Sequence, residues 1–175
     1  EIHGDCFQML MIGDGPNKSE LEREAYSLGI GDNVIFTGNI PHADLSSYYR
    51  ACDLFLFASQ TETQGLVLQE AMAATLPVVA IKASGVCDIV RNGENGFMTV
   101  MDKSAFTHAM ENTLLHSRQY KRLSAGAYET AFRNTDDQMA EQAESSYIQM
   151  CGERRADIAK QSAAKITQSI PVQNY

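Results

Sequence analysis

The sequence predicts an α/β fold in which a parallel sheet is covered by helices on both faces. Two observations carry that expectation. Apolar runs of strand length recur at 7–12, 33–37, 53–58 and 77–81, and the segments between them keep the three- and four-residue apolar spacing of a helix face. The connections are short. Strand and helix therefore alternate, and such a series builds a parallel sheet with its crossovers packed against it.

The first strand, 7–12, ends at the turn Gly13-Asp14-Gly15-Pro16. A helix over 19–28 follows, with Leu21, Ala25 and Leu28 in register and Gly29 and Gly31 to stop it. A strand over 33–37 runs into the loop Gly38-Asn39-Ile40-Pro41, and a short helix over 43–51 places Leu45, Tyr48 and Tyr49 on one side. The run 53–58 is almost continuously apolar, the pattern of a strand buried on both faces. A helix over about 65–75 and a strand over about 77–81 come next. A short helix over 84–90, a turn at 92–96 and an edge strand over 97–100 complete the alternating part. From about residue 102 the pattern is helical only, with helices expected over 104–116, 117–133 and 136–150. The sequence beyond Cys151 is polar-rich and expected to fray or be disordered. This divides the chain into an α/β domain at 1–133, a helix at 134–150 and a polar tail at 151–175.

Composition narrows the function. The balance of 14 basic against 22 acidic residues gives a net charge of −8, which argues against a nucleic-acid footprint. The four cysteines, Cys6, Cys52, Cys87 and Cys151, are scattered without a C-x-x-C pair, so they read as buried free thiols of a reducing compartment. The histidines show no metal-ligand spacing, and no apolar run is long enough to span a bilayer. The expected location is cytoplasmic.

Ligands of open parallel sheets bind beyond the carboxyl ends of the strands. Here those ends are the loops at Gly13, at Gly38, at 59–65 and at 82–85. The third loop is the richest. Glu62 lies in it, Gly65 directly precedes a helix start, and Glu70 lies one to two turns into that helix. A helix N-terminus presents amide N–H groups and positive dipole to an anion. A carboxylate accepts two hydrogen bonds from a vicinal diol, which suits a sugar or a ribose. The combination reads as a nucleotide-sugar site, with the diphosphate over the N–H groups near Gly65, Leu66 and Val67. Gly13 and Gly15 hint at a dinucleotide fingerprint, but Lys18 stands where its third glycine belongs and no acidic residue ends the next strand. His42 reads as a helix-start residue, Lys82 and Arg91 as solvated surface, and Tyr48 and Tyr49 as core.

The run from Ser59 to Ala80 resembles the two-glutamate signature of retaining family-4 glycosyltransferases. Gly13-Asp14-Gly15-Pro16, the segment from Phe36 to His42, the strand from Ala51 to Leu56 and the stretch from Ser84 to Phe97 match in the same order, over about 7–133. The resemblance implies the Rossmann-like C-terminal, donor-binding half of a two-domain GT-B enzyme. It implies that Glu62 holds donor-sugar hydroxyls as the catalytic carboxylate and that Glu70 holds the ribose. Gln64, Gly65, Leu66 and Val67 would meet the sugar and diphosphate, and Gly38, Asn39 and Ile40 the base. Gly13, Ser84 and Gly85 would lie near the donor. The implied substrate is a UDP- or GDP-hexose, with no metal and no cofactor. The implied partner is an acceptor-binding N-terminal domain that could associate with the inner membrane face.

Departures accompany the match. Thr75 stands where the family has glycine, Ser84 replaces the first of a glycine pair, and Cys87-Asp88 takes the place of Pro-Glu. The family's donor domain also begins with one more strand and helix, bearing an arginine and a lysine for the diphosphate. The chain is thus expected to act as an inactive fragment of a hexosyltransferase. Thr61-Glu62-Thr63-Gln64-Gly65 resembles members that glucosylate diacylglycerol, with polysaccharide synthesis as plausible. The alternatives are half of a sugar-nucleotide epimerase and a binding module without chemistry.

Overall fold

A computed structural model describes residues 7–61, 65–133 and 145. The elements run β1 (Met9–Ile12), α1 (Lys18–Ser27), β2 (Val34–Gly38), α2 (His42–Arg50), β3 (Phe55–Phe57), α3 (Leu66–Ala73), β4 (Val78–Ile81), α4 (Ser84–Cys87), β5 (Gly96–Thr99), α5 (Lys103–Leu114) and α6 (Ser117–Arg133). A 3-10 turn at Gly31–Asn33, not foreseen, leads into β2. The expected helix over 134–150 and the tail at 151–175 lie outside the described residues, apart from Ser145, which is helical.

The described strands pair with one another in parallel, as the alternation requires. The hydrogen bonds divide the described strands into two ladders, β1–β2 and β3–β4–β5. The second is the better buried. Val78, Val79 and Ala80 of β4 are inaccessible to solvent, because β4 has a strand on each side and helices over its faces. The run at 53–58, expected to be buried on both faces, is a shorter strand whose Phe55, Leu56 and Phe57 are only half-buried. Its described ladder has a partner on one side alone.

The core sits where α3, β4, α4 and α6 meet: Leu68 and Met72, Val78 and Ala80, Val86, and Ala127 and Ala131. The buried positions of α6, Leu123, Ala127 and Ala131, recur every four residues and form one stripe. A β-carbon at Gly126 would run into the Glu94 carbonyl, so glycine lets α6 lie against the 92–96 turn. Asn95, fully buried in that turn, donates to the Ile89 carbonyl (2.9 Å) and the Thr130 hydroxyl (2.9 Å). It accepts the Arg91 amide (2.8 Å). Its side chain thus ties the turn, the segment after α4 and α6 together without leaving its amide unsatisfied.

Two boundaries have local causes. Asp102 caps α5 by accepting the Ala105 amide at 2.8 Å, which starts the helix one residue before the expected position. The expected helix over 84–90 is a single turn, Ser84–Cys87, followed by tighter bends to Val90. The cysteine expectation is corrected in part. Cys52 is a half-buried free thiol, whereas Cys87 is exposed because it falls on the outer side of that one-turn helix.

Candidate functional site

The loops at the carboxyl ends of the strands meet in two pairs. The Gly13 amide donates to the Gly38 carbonyl at 2.9 Å, joining the loop after β1 to the end of β2. Gly38 is buried, Asn39 is exposed and Ile40 is half-buried. The ammonium of Lys18, half-buried at the start of α1, reaches the same corner, 3.6 Å from where a β-carbon of Gly38 would be. Lys18 had figured only as the residue that spoils a glycine fingerprint. Its nearness to residue 38 could not be read from a separation of twenty positions.

The second pair is α3 with α4. Gly65 is the N-cap of α3 and adopts the left-handed conformation, φ 66° and ψ 25°. A β-carbon there would collide with Ile89 Cδ1 and stand 3.1 Å from the Gly85 carbonyl oxygen. Glycine is therefore required twice, for the backbone angle and for the close approach of α4. Its carbonyl opens the helix by accepting the Leu68 and Gln69 amides at 3.0 and 3.2 Å. The amides of Leu66 and Val67 precede that ladder. No acidic residue occupies the first turn of α3, so its positive end meets no carboxylate of its own helix. Gly85 is buried and structural in this arrangement, while Ser84 is exposed. Glu62 and Gln64 lie outside the described residues.

Glu70 joins the two pairs. One turn along α3, its Oε2 accepts the Tyr49 hydroxyl of α2 at 3.2 Å, and its Oε1 lies 4.0 Å from His42 Nδ1. His42 opens α2 immediately after the 38–41 loop, so the carboxylate stands between that loop and the α3 N-terminus. The Tyr49 ring packs edge-on against Phe55, with centroids 5.8 Å apart and planes at 68°. Burial, and after it the charge and hydrogen bond of Glu70, push the Tyr49 hydroxyl pKa up to about 12. Tyr49, expected as core, is half-buried with its ring packed inward and its hydroxyl committed to a carboxylate. Nothing in the sequence could pair two residues 21 positions apart on different helices.

The expected surface cations behave as such. Lys82 is exposed, and Arg91 forms an exposed pair with Glu94 at 3.9 Å. Among the described residues no three His, Cys, Asp or Glu side chains gather to hold a metal ion, and no helix is long and apolar enough to cross a membrane. The arrangement offers a helix N-terminus, a carboxylate one turn away held by a phenol, and a glycine loop beside it. Such a set can receive an anion and a diol of one ligand.

A family model described as "Glycosyl transferases group 1" matches residues 3–130. The sulfoquinovosyl transferase SQD2 of Arabidopsis thaliana is 37% identical over 119 residues, covering 66% of this chain and 22% of that protein. An alpha-monoglucosyldiacylglycerol synthase of Streptococcus pneumoniae is 43% identical over 76 residues, covering 43% of this chain and 17% of its own length. This chain thus spans about a fifth of the length of these relatives. Among solved structures, Anabaena Alr3699/HepE in complex with UDP-glucose superposes with a TM-score of 0.67 at 30% identity, over 79% of this chain and 41% of that one. With the parallel α/β layering, these matches identify the family: the chain belongs to the group 1 glycosyl transferases.

Proposed function

We propose that this chain is the donor-binding domain of a retaining glycosyltransferase that moves a hexose from a nucleotide sugar to an acceptor hydroxyl. The observation that carries the reading is the place of Glu70. At 1.5 Å of rise per residue, it sits roughly 6 Å along the helix from Leu66, and the 38–40 loop approaches it through His42. One nucleoside diphosphate then meets three features in order. The base lies on Gly38, Asn39 and Ile40, the ribose hydroxyls on Glu70, and the diphosphate over the amides of Gln64 to Val67. Glu62 takes the hydroxyls of the sugar. Gly13, Ser84 and Gly85 border the donor without a direct role.

The chemistry follows from the charge that develops. As the bond from the anomeric carbon to the diphosphate breaks, negative charge grows on the leaving oxygens, over the dipole and amides of α3. Those groups are already oriented by the fold, so they need little rearrangement during the step. The UDP-glucose complex of the Anabaena protein supports a nucleotide-sugar donor. The name of the pneumococcal relative supports a glycolipid acceptor such as diacylglycerol, which would place the work at the cytoplasmic membrane face, in a partner domain that binds the acceptor.

The test is a thermal-shift and transfer assay of the full-length protein with UDP- and GDP-hexoses. A donor at about 100 times its Kd adds about 2.7 kcal/mol of stability, and Glu70→Ala should remove that gain. If no nucleotide sugar shifts the transition, the reading fails. Donor binding without transfer to any hydroxyl acceptor would favour a binding module, and conversion of the donor itself an epimerase.

A further inference from the structure

We infer that Tyr49 is a positioning residue for donor recognition: its hydroxyl holds the Glu70 carboxylate in the orientation that receives the ribose. The inference rests on the donor-site reading and adds a residue to it. Its basis is the way Tyr49 is held from both ends. The ring stands edge-on to Phe55, and Phe55 stacks on Phe57 with centroids 6.2 Å apart, so β3 fixes where the ring lies. The hydroxyl then reaches across to α3 and donates to Glu70 Oε2 at 3.2 Å.

A glutamate has three rotatable bonds, and its side chain here is 34% exposed. Left alone it would sample several rotamers, and a diol would have to select one of them. A phenol carried by α2 and packed against β3 removes that freedom in advance. The bond occupies one lone pair of Oε2. Oε1 stays 4.0 Å from His42 Nδ1, too far for a hydrogen bond, and keeps its acceptor capacity for a ligand. The His42 side chain is 82% exposed and leaves that side open. The rise in the Tyr49 pKa fits the same picture, since a phenol that stays protonated remains a donor across the physiological range.

The experiment reads ribose recognition directly. Kd values for UDP and 2′-deoxy-UDP, and for GDP and 2′-deoxy-GDP, are measured by calorimetry on the full-length protein and on its Tyr49→Phe and Glu70→Ala variants. Tyr49→Phe deletes one oxygen and keeps the ring on Phe55. The wild type should prefer the ribonucleotide. Glu70→Ala should abolish the preference, and Tyr49→Phe should reduce it by about tenfold, the worth of one hydrogen bond to a charged group. The donor KM should rise in Tyr49→Phe with kcat at saturation unchanged. A tyrosine that only packs would weaken both nucleotides alike and leave their ratio as in the wild type. That result would overturn the inference. A wild type without preference, or Glu70→Ala with the wild-type ratio, would instead overturn the donor-site reading beneath it.

Discussion

Replacing Thr75 by glycine should stabilise the protein. Helix α3 ends at Ala73, and the Thr75 amide donates to the Met72 carbonyl at 2.9 Å while the Leu76 amide donates to Ala71 at 3.1 Å. Those two bonds make a Schellman ending, in which the residue after the C-cap must adopt the left-handed conformation. Thr75 has φ 68°, the one non-glycine residue with positive φ among the described residues. For an L-residue that region costs about 1–2 kcal/mol, and a β-branched side chain belongs at the upper end. Glycine removes the strain but adds unfolded-state entropy of roughly 0.4–1 kcal/mol. The side chain of Thr75 is exposed, and its carbonyl, which accepts the Ser124 hydroxyl at 2.8 Å, survives the change. The net gain is therefore about 1–1.5 kcal/mol, seen as a rise of about 2–6 °C in Tm. Urea midpoints of Thr75→Gly, Thr75→Asn and the wild type should fall in that order of stability with unchanged m-values. A glycine variant no more stable than the wild type would refute the reasoning.

Two further predictions concern the same site, one at the start of α3 and one on α2. Gly65→Ala should lose about 2–4 kcal/mol, the left-handed penalty plus overpacking against Ile89 and Gly85, and should lose nucleotide binding with it. An unfolding free energy within about 0.5 kcal/mol of the wild type, the range of ordinary surface changes, would count against it. The Tyr49 hydroxyl predicts alkaline sensitivity. Between pH 10 and about 12 the unfolded chain has released this proton while the native state keeps it, so the unfolded state binds fewer protons and stability falls as pH rises. Below pH 10 both states hold the proton and the contribution is fully present. The urea midpoint of Tyr49→Phe should decline less steeply over that window than that of the wild type, and parallel declines would argue against the pairing. Tyr120, raised by burial and by Asp53, contributes equally to both.

The order and type of the elements were legible because each apolar run is bounded by a turn residue, as at Gly13, Gly38 and Pro77. The requirement for glycine at 65 was legible as well, from its place before a helix. Residue 75 carried a local signal: a position after a helix end where glycine is the usual choice. What escaped depends on which elements become neighbours. Apolar strands do not announce their partners, so the division into two ladders is absent from any periodicity. The same holds for the Lys18 and Tyr49 contacts, which join segments on different elements. The half-burial of Phe55 and Phe57 escaped for a related reason. Apolarity sets what a strand prefers, while cover from neighbours sets what it obtains.

The bond from Tyr49 to Glu70 also connects two parts of the molecule that are anchored very unequally. Within residues 7–61 only Ala25 is a buried hydrophobic side chain, whereas α3, carrying Glu70, contributes Leu68, Ala71 and Met72 at zero exposure. Local opening costs least where few apolar contacts must break. Separating the segment from β1 to α2 would therefore break fewer buried apolar contacts than opening α3. A ligand that lies on the 38–40 loop and on Glu70 at once bridges that seam. Part of its binding energy would then go to holding the less buried segment in place, so occupancy of the site would be felt as cohesion well beyond the residues it touches.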